Sequence, residues 1–227
     1  MTQGSYQQFC PVAMASEIIC TRWTTLVLRE LICGSTRFND LRRGLPRMSP
    51  ALLSQRLKEL EAAGVIAREA GGSEYRLTKS GRELEPLIIA LGQWGHRWID
   101  QTVSLENLDV SLLMWDMRRN LNPTPLPKSR SVIQFQYPEL PATRRAWWLL
   151  VDPKSGVDLC SIDPGFDVDL YVSTDLHTMT AIWMGFETVR SAVRAQKMLL
   201  TGERSLASNM QTWLGLSVFA KERKLAS

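Results

Sequence analysis

"RFNDLRRGLPRMSPALLSQRLKELEAAGVIAR", residues 37–68, decides how the first part of the chain is read. It opens as a short helical pattern that stops at Gly44-Leu45-Pro46. Ser49 then serves as an N-cap, and Pro50 fits the first helical position, where a missing N–H leaves nothing unsatisfied. Leu53, Leu57 and Leu60 recur at the spacing of one helix face, and Gly64 closes the helix. Away from the leucines stand Ser49, Ala51, Ser54, Gln55 and Lys58, none of which fills a core. Such a helix is anchored on one side and offers a small, polar, partly basic side to something else.

The flanking segments give this helix a setting. In "WTTLVLRELI", residues 23–32, Trp23, Leu26, Val27 and Leu31 follow a helical period that Gly34 ends. Downstream, "VIAREA" and "SEYRLT" flank Gly71-Gly72, with Tyr75 and Leu77 alternating against Glu74 and Arg76, which predicts a β-hairpin. A helix from about Thr78 to Asp100 is expected next. Its stripe is Leu84, Leu87, Ile88, Leu91, Trp94 and Trp98, and Pro86 is expected to kink its first turns.

Short helix, tight connection, capped helix and Gly-tipped hairpin is the order of a winged helix-turn-helix. In that arrangement the capped helix enters the major groove and reads base edges mainly from its N-terminal residues. Ser49, Ala51 and Ser54 are small enough for close approach, and Gln55 can bond a base edge twice. Arg42, Arg43, Arg47 and Arg56 are placed to meet phosphates, and Arg37 and Lys58 are further DNA-binding candidates, Lys58 on the side the groove fits against. Arg68 and Arg76 on the hairpin reach a flanking backbone or minor groove.

Charge agrees with a polyanionic partner for this part alone. From Arg22 to Arg82 there are twelve Lys and Arg against six Asp and Glu, a net of +6. The whole chain carries +4, so the remainder carries −2.

From about residue 101 the character changes. The helical "LLMWDMRRNL" gives way to "NPTPLPKS", whose three prolines in eight residues read as a linker. Four β-like segments follow, "SVIQFQY", "AWWLLVD", "GVDLCSI" and "DVDLYVS", then helical patterns through Trp183, "ETVRSAVRAQKML" and "SNMQTWLGLSVFA". The division expected is 1–105 for DNA binding and dimerisation, 106–128 as connecting helix and Pro-rich linker, and 129–227 as a second domain. The fold class is a mostly α winged helix-turn-helix domain followed by an α+β domain, an antiparallel-type sheet with helices on one side.

Several function classes are excluded by what is missing. No segment approaches the roughly 18 apolar residues of a membrane span, and the first twenty residues lack the pattern of a secretory signal. A cytoplasmic location without membrane contact is expected. Cys10, Cys20, Cys33 and Cys160 have no zinc-like spacing and only His96 and His177 could assist, so neither metal nor cofactor is expected. His177 has no nucleophile motif beside it, and no carboxylate pair stands apart from turns, which argues against an enzyme.

"CPV" (10–12), "RWTTLVLREL" (22–31), the opening stretch, "YRLTKSGREL" (75–84) and "LGQWGHRW" (91–98) closely resemble the HxlR-type winged-helix regulators. Two departures are Thr21, where a Gly usually precedes the basic-Trp pair, and a short hairpin without the usual proline. The resemblance implies a homodimer, joined through its first and last helices, on a pseudo-palindromic double-stranded operator, with repression as the family prior. It also implies that Cys10, just before a proline, could sense oxidants, although a packed structural thiol is the commoner state.

Residues 167–220 resemble sterol-carrier-protein-like domains through Asp169, Leu176, Gly185, Ala192, Gly202 and the "WLGLSVFA" end. That resemblance implies an apolar tunnel and a small hydrophobic effector. Phe135, Trp147, Phe166, Trp183, Phe186 and Trp213 are its candidate lining, or else they simply close a core. The resulting expectation is a transcriptional regulator whose operator affinity responds to an apolar ligand. Two alternatives stand beside it: a lipid or metabolite carrier that uses the winged helix only to dimerise, and a thiol-switch regulator acting through Cys10.

Overall fold

The computed structural model describes residues 5–69 and 72–226, and the chain divides into two compact units, 1–92 and 93–227. The first unit opens with α1 (Pro11–Ile19), α2 (Thr24–Ile32), α3 (Phe38–Gly44) and α4 (Pro50–Ala62). A hairpin of β1 (Ile66–Arg68) and β2 (Tyr75–Leu77) follows, then α5 (Lys79–Glu83) and α6 (Glu85–Trp98), whose residues from Gln93 onward belong to the second unit.

The local signals around α4 act as expected. The Ser49 hydroxyl accepts a hydrogen bond from the Leu52 amide at 3.3 Å, and Pro50 occupies the first helical turn. Capping of this kind contributes about 1 kcal/mol. Gly64 terminates the helix at φ +69°, a left-handed conformation that a side chain would strain. Leu53, Leu57 and Leu60 pack into one core with Val27, Leu28, Leu31, Leu41, Leu45, Ile66, Tyr75 and Ile88. Leu26, one of the residues that set the helical period of α2, is 38% exposed, while Leu28 is fully buried.

The hairpin pairs Ile66 with Leu77 and Arg68 with Tyr75. The chain at Thr36–Arg37 lies against its outer side, where the Tyr75 amide donates to the Thr36 carbonyl at 2.8 Å. Of the expected glycine tip, Gly71 lies outside the described residues. The helix expected from Thr78 to Asp100 is two helices. The chain breaks at Leu84, and Pro86 sits in the first turn of α6, where its missing N–H does no harm.

Beyond α6 come α7 (Gln101–Ser104), α8 (Val110–Asn120), β3 (Ser131–Gln136), β4 (Ala146–Asp152), β5 (Gly156–Cys160) and β6 (Leu170–Thr174). The chain continues as α9 (Leu176–Trp183), α10 (Val189–Arg194), β7 (Met198–Gly202), α11 (Arg204–Ser208) and α12 (Met210–Trp213). The segment 106–128 is not a free connection, since Val110, Leu113, Met114 and Met117 of α8 lie in the core of the second unit.

The five strands run in the order β5-β4-β3-β6-β7. The antiparallel-type sheet expected from the sequence is corrected in one respect: β3 and β6 are parallel, with Phe135 opposite Val172, so the sheet is mixed. The segment from Cys160 to Leu170 carries the chain back before β6 begins, which reverses the direction a hairpin would give. β7 lies within a stretch read above as helix. That helix ends at Arg194, and Met198–Gly202 pairs with β6. Ile133, Phe135, Trp147, Leu149, Leu170 and Val172 share a core with Met179, Met210 and Trp213.

After α12 an irregular segment returns to the end of α6. The Leu225 and Ala226 amides both donate to the Arg97 carbonyl, at 2.8 and 2.9 Å. Glu222 accepts from Gln93 at 2.9 Å and from the Arg97 guanidinium, and Lys224 donates to the Ile99 carbonyl.

Candidate nucleic-acid interface

The leucine face of α4 is sealed in the first core, which leaves Ser49, Ala51, Gln55 and Lys58 exposed and Ser54 half-buried. Arg42, Arg43 and Arg47 are exposed on the preceding helix and turn. A shallow depression of about 400 Å³ lies there, lined by Asn39, Arg42, Arg43, Leu45, Pro46 and Met48. Among the described residues, the side chains of Arg42, Arg47 and Lys58 have no hydrogen-bond or ion-pair partner, whereas Arg43 reaches Asp40 at 3.4 Å. Unpaired cations beside a helix of small and amide side chains make a surface suited to phosphates and base edges.

Other basic residues are engaged within the chain. Arg56, only 13% exposed along its side chain, donates to the Arg22 carbonyl at 3.2 Å and pairs with Glu59. It ties α4 to the turn before α2, where Trp23 adopts a left-handed φ of +79°. The Gln55 amide donates to Glu59 at 2.9 Å on the exposed side. On the hairpin, Arg37 and Arg76 pair with Glu74 at 3.1 and 3.3 Å, and Arg68 lies over the Tyr75 ring and bonds its hydroxyl.

Beneath the turn is a network that sequence reading passed over. Glu30 is fully buried on α2. It accepts from Arg29 Nη2 at 2.7 Å and from the Ser35 hydroxyl at 3.2 Å, and Arg29 also donates to the Gly44 carbonyl at 2.9 Å. The pair thus fixes where α3 ends and α4 can begin. Its signal was present, because Glu30 lies three residues beyond Val27 and shares its buried face.

This part of the sequence has counterparts in known proteins. The model of the HxlR-like helix-turn-helix matches residues 18–103. The HTH-type transcriptional regulator YdeP of Bacillus subtilis is 39% identical over 102 residues, covering 43% of this chain and 80% of YdeP. The chain belongs to the HxlR-like helix-turn-helix family. A second B. subtilis member, YvaP, named an HTH-type transcriptional regulator, is 37% identical over 99 residues, 41% of this chain and 92% of its own. The crystal structure of PA1607, a putative transcription factor, is 39% identical with a TM-score of 0.36, covering 39% of this chain and 65% of that one.

The HxlR-like match ends at residue 103, before the second unit's sheet. There the six aromatics named as candidate lining fall into two groups. Phe135, Trp147, Trp183 and Trp213 are packed in the core, with the Trp147 and Trp213 indoles donating to the Arg144 and Leu206 carbonyls at 2.9 and 2.8 Å. Phe166 is exposed beneath Arg130, and Phe186 stacks on the buried His96 ring at 5.3 Å. An open groove of about 630 Å³ lies elsewhere, lined by α10, β7, α11 and α12 and by none of the six. Cys10, half-buried at the start of α1, is in no disulfide. No helix of the described residues is long and apolar enough to cross a membrane.

Proposed function

We propose that the protein is a homodimeric transcriptional regulator that sets α4 into the major groove of a pseudo-palindromic operator and represses from it. The exposed face of α4, with Arg42, Arg47 and Lys58 unpaired beside it, carries this reading. Ser49, Ala51, Ser54 and Gln55 are the base-proximal residues, and Arg42, Arg43, Arg47 and Lys58 the phosphate contacts. Arg37, Arg68 and Arg76 contact DNA only after exchanging local carboxylate or tyrosine partners, and the β1–β2 hairpin is the wing. Arg56 acts by holding α4 in place.

Dimerisation is supported by apolar surface that a lone chain leaves in water. Val12, Met14 and Ile18 on α1 and Leu87, Leu91, Trp94 and Trp98 on α6 are all exposed. Large exposed apolar patches mark association surfaces. In this reading residues 1–105 bind DNA and dimerise, and 129–227, together with α8, form a sterol-carrier-like sensor of a small apolar molecule.

The experiment is a gel shift on a fragment of the regulated promoter at several salt concentrations. Gln55→Ala should lose about 1–3 kcal/mol of discrimination against altered operators. Parental affinity and parental specificity in that variant would remove α4 from the major groove.

A further inference from the structure

The groove in the second unit has an uneven chemistry. Its wall is aliphatic, formed by Val189, Val193, Leu200 and Ala207, with Val193 41% exposed. Its polar side is composed of Arg190, Arg194, Thr188, Ser208 and Gln211, with no carboxylate among the lining residues. Arg190 and Arg194 stand four residues apart on α10, a spacing at which like charges repel. Among the described residues neither has an acidic partner, while nearby Lys197 is paired with Glu187 at 3.7 Å.

Of the remaining polar groups, Gln211 and Thr188 lean the same way, while the Ser208 hydroxyl donates to the Ser205 carbonyl at 3.2 Å. Gln211 uses its carbonyl oxygen to accept the Val189 amide at 2.8 Å, which leaves its NH₂ as the free end. The Thr188 hydroxyl oxygen accepts from the Ser191 amide at 3.1 Å, so its O–H remains to donate. Two guanidinium groups, an amide NH₂ and a hydroxyl proton therefore belong to residues lining one groove with an apolar wall, in a volume suited to a small molecule. A neutral apolar ligand would leave these donors unanswered. A carboxylate would satisfy them with charge-assisted bonds while its apolar body covered Val193 and Leu200.

We propose that this groove is the ligand site of the second unit and that it takes an amphipathic organic carboxylate, its acid group held by Arg190 and Arg194. The proposal rests on the reading of that unit as a sensor and replaces the small apolar molecule of that reading with an amphipathic acid.

The test is calorimetric titration of the full chain with 4-phenylbutanoate and with 4-phenylbutan-1-ol, which share a body and differ in charge. The acid should bind at one site per chain, weaken with added salt, and exceed the alcohol by about tenfold or more, the value of a charge-assisted hydrogen bond. The exposed pair R190Q/R194Q should lose that margin and leave the alcohol unchanged. Val193→Glu, which adds a carboxylate to the wall, should abolish binding of the acid. Equal binding of acid and alcohol, no binding of the acid, or an R190Q/R194Q variant that binds like the parent would each overturn the site. A gel shift on the promoter fragment separates the two readings. Saturating acid that binds in the groove but leaves operator affinity unchanged removes the sensor and keeps the site. An alcohol that shifts operator affinity while the acid does not bind removes the site and keeps the sensor.

Discussion

Gly44 is the position where one methyl group tests the architecture under α4. A Cβ built there falls 1.9 Å from Glu30 Oε2 and 2.0 Å from its Cδ, far inside contact distance. A carboxylate at the end of a free side chain could swing away. This one is fully buried and held by Arg29 and Ser35, and Arg29 in turn grips the Gly44 carbonyl. In Gly44→Ala either the end of α3 moves or the carboxylate leaves its partners. Each charged hydrogen bond lost costs about 1.5–3 kcal/mol, and stranding a buried charge costs about 3–5 kcal/mol. We expect a loss of about 3–5 kcal/mol in urea denaturation followed by circular dichroism, with weakened operator binding below the transition. Glu30→Ala in the same background should make the two losses clearly less than additive, because the clash is then absent. A Gly44→Ala protein within about 0.5 kcal/mol of the parent, the range of neutral surface changes, would refute the reasoning.

Lys58→Ala and Arg56→Ala should separate contact from support. The first should flatten the log–log salt dependence of operator binding by about one unit at unchanged stability, the second should lower the denaturation midpoint, and gel shifts beside urea curves would show the reverse assignment if it held. Leu91→Lys, on the exposed stripe of α6, should convert a dimer to a monomer in sedimentation at micromolar concentration while the folded signal persists; an unchanged sedimentation coefficient would move the interface elsewhere. His96 is buried, with Nδ1 unpartnered among the described residues, and burial, aided by Lys224 and opposed by Glu222, holds its pKa below the ordinary 6.5. The unfolded chain therefore binds more protons than the folded one below that value, so stability should fall as pH drops through about 6.5. His96→Phe should flatten that slope in pH-dependent thermal melts, and an identical slope in the variant would assign it to other groups.

What the sequence disclosed was local. Ser49, Pro50 and Gly64 act within a turn of their own position, so the bounds and orientation of α4 could be read from a dozen residues. Arg56 could not be read in the same way, because its partner is a carbonyl 34 residues upstream, and the pattern around a basic helix residue does not record so distant a partner. Glu30 was passed over because an apolar periodicity does not count a carboxylate, even one whose position on the helix face buries it. In the second unit, the parallel pairing of β3 with β6 depends on how a connection travels, which no pattern of alternation records. Aromatic density drew attention to Trp147, Trp183 and Trp213, which fill the core. The groove is built from valines and arginines on helices too short to display a period.

The segment that closes on the end of α6 also sets an order of events during synthesis. Arg97 and Gln93 find their partner at Glu222, and the Arg97 carbonyl finds its donors at Leu225 and Ala226. A ribosome delivers these residues more than a hundred positions later. The helices of the first unit and its hairpin draw on neighbours already made, so they can form while the chain is still emerging. The last turn of α6 has no such option. It stays uncapped until Glu222 to Ala226 have been made, and a chain stalled or clipped ahead of Glu222 would carry the core of the first unit complete and α6 fraying at its end.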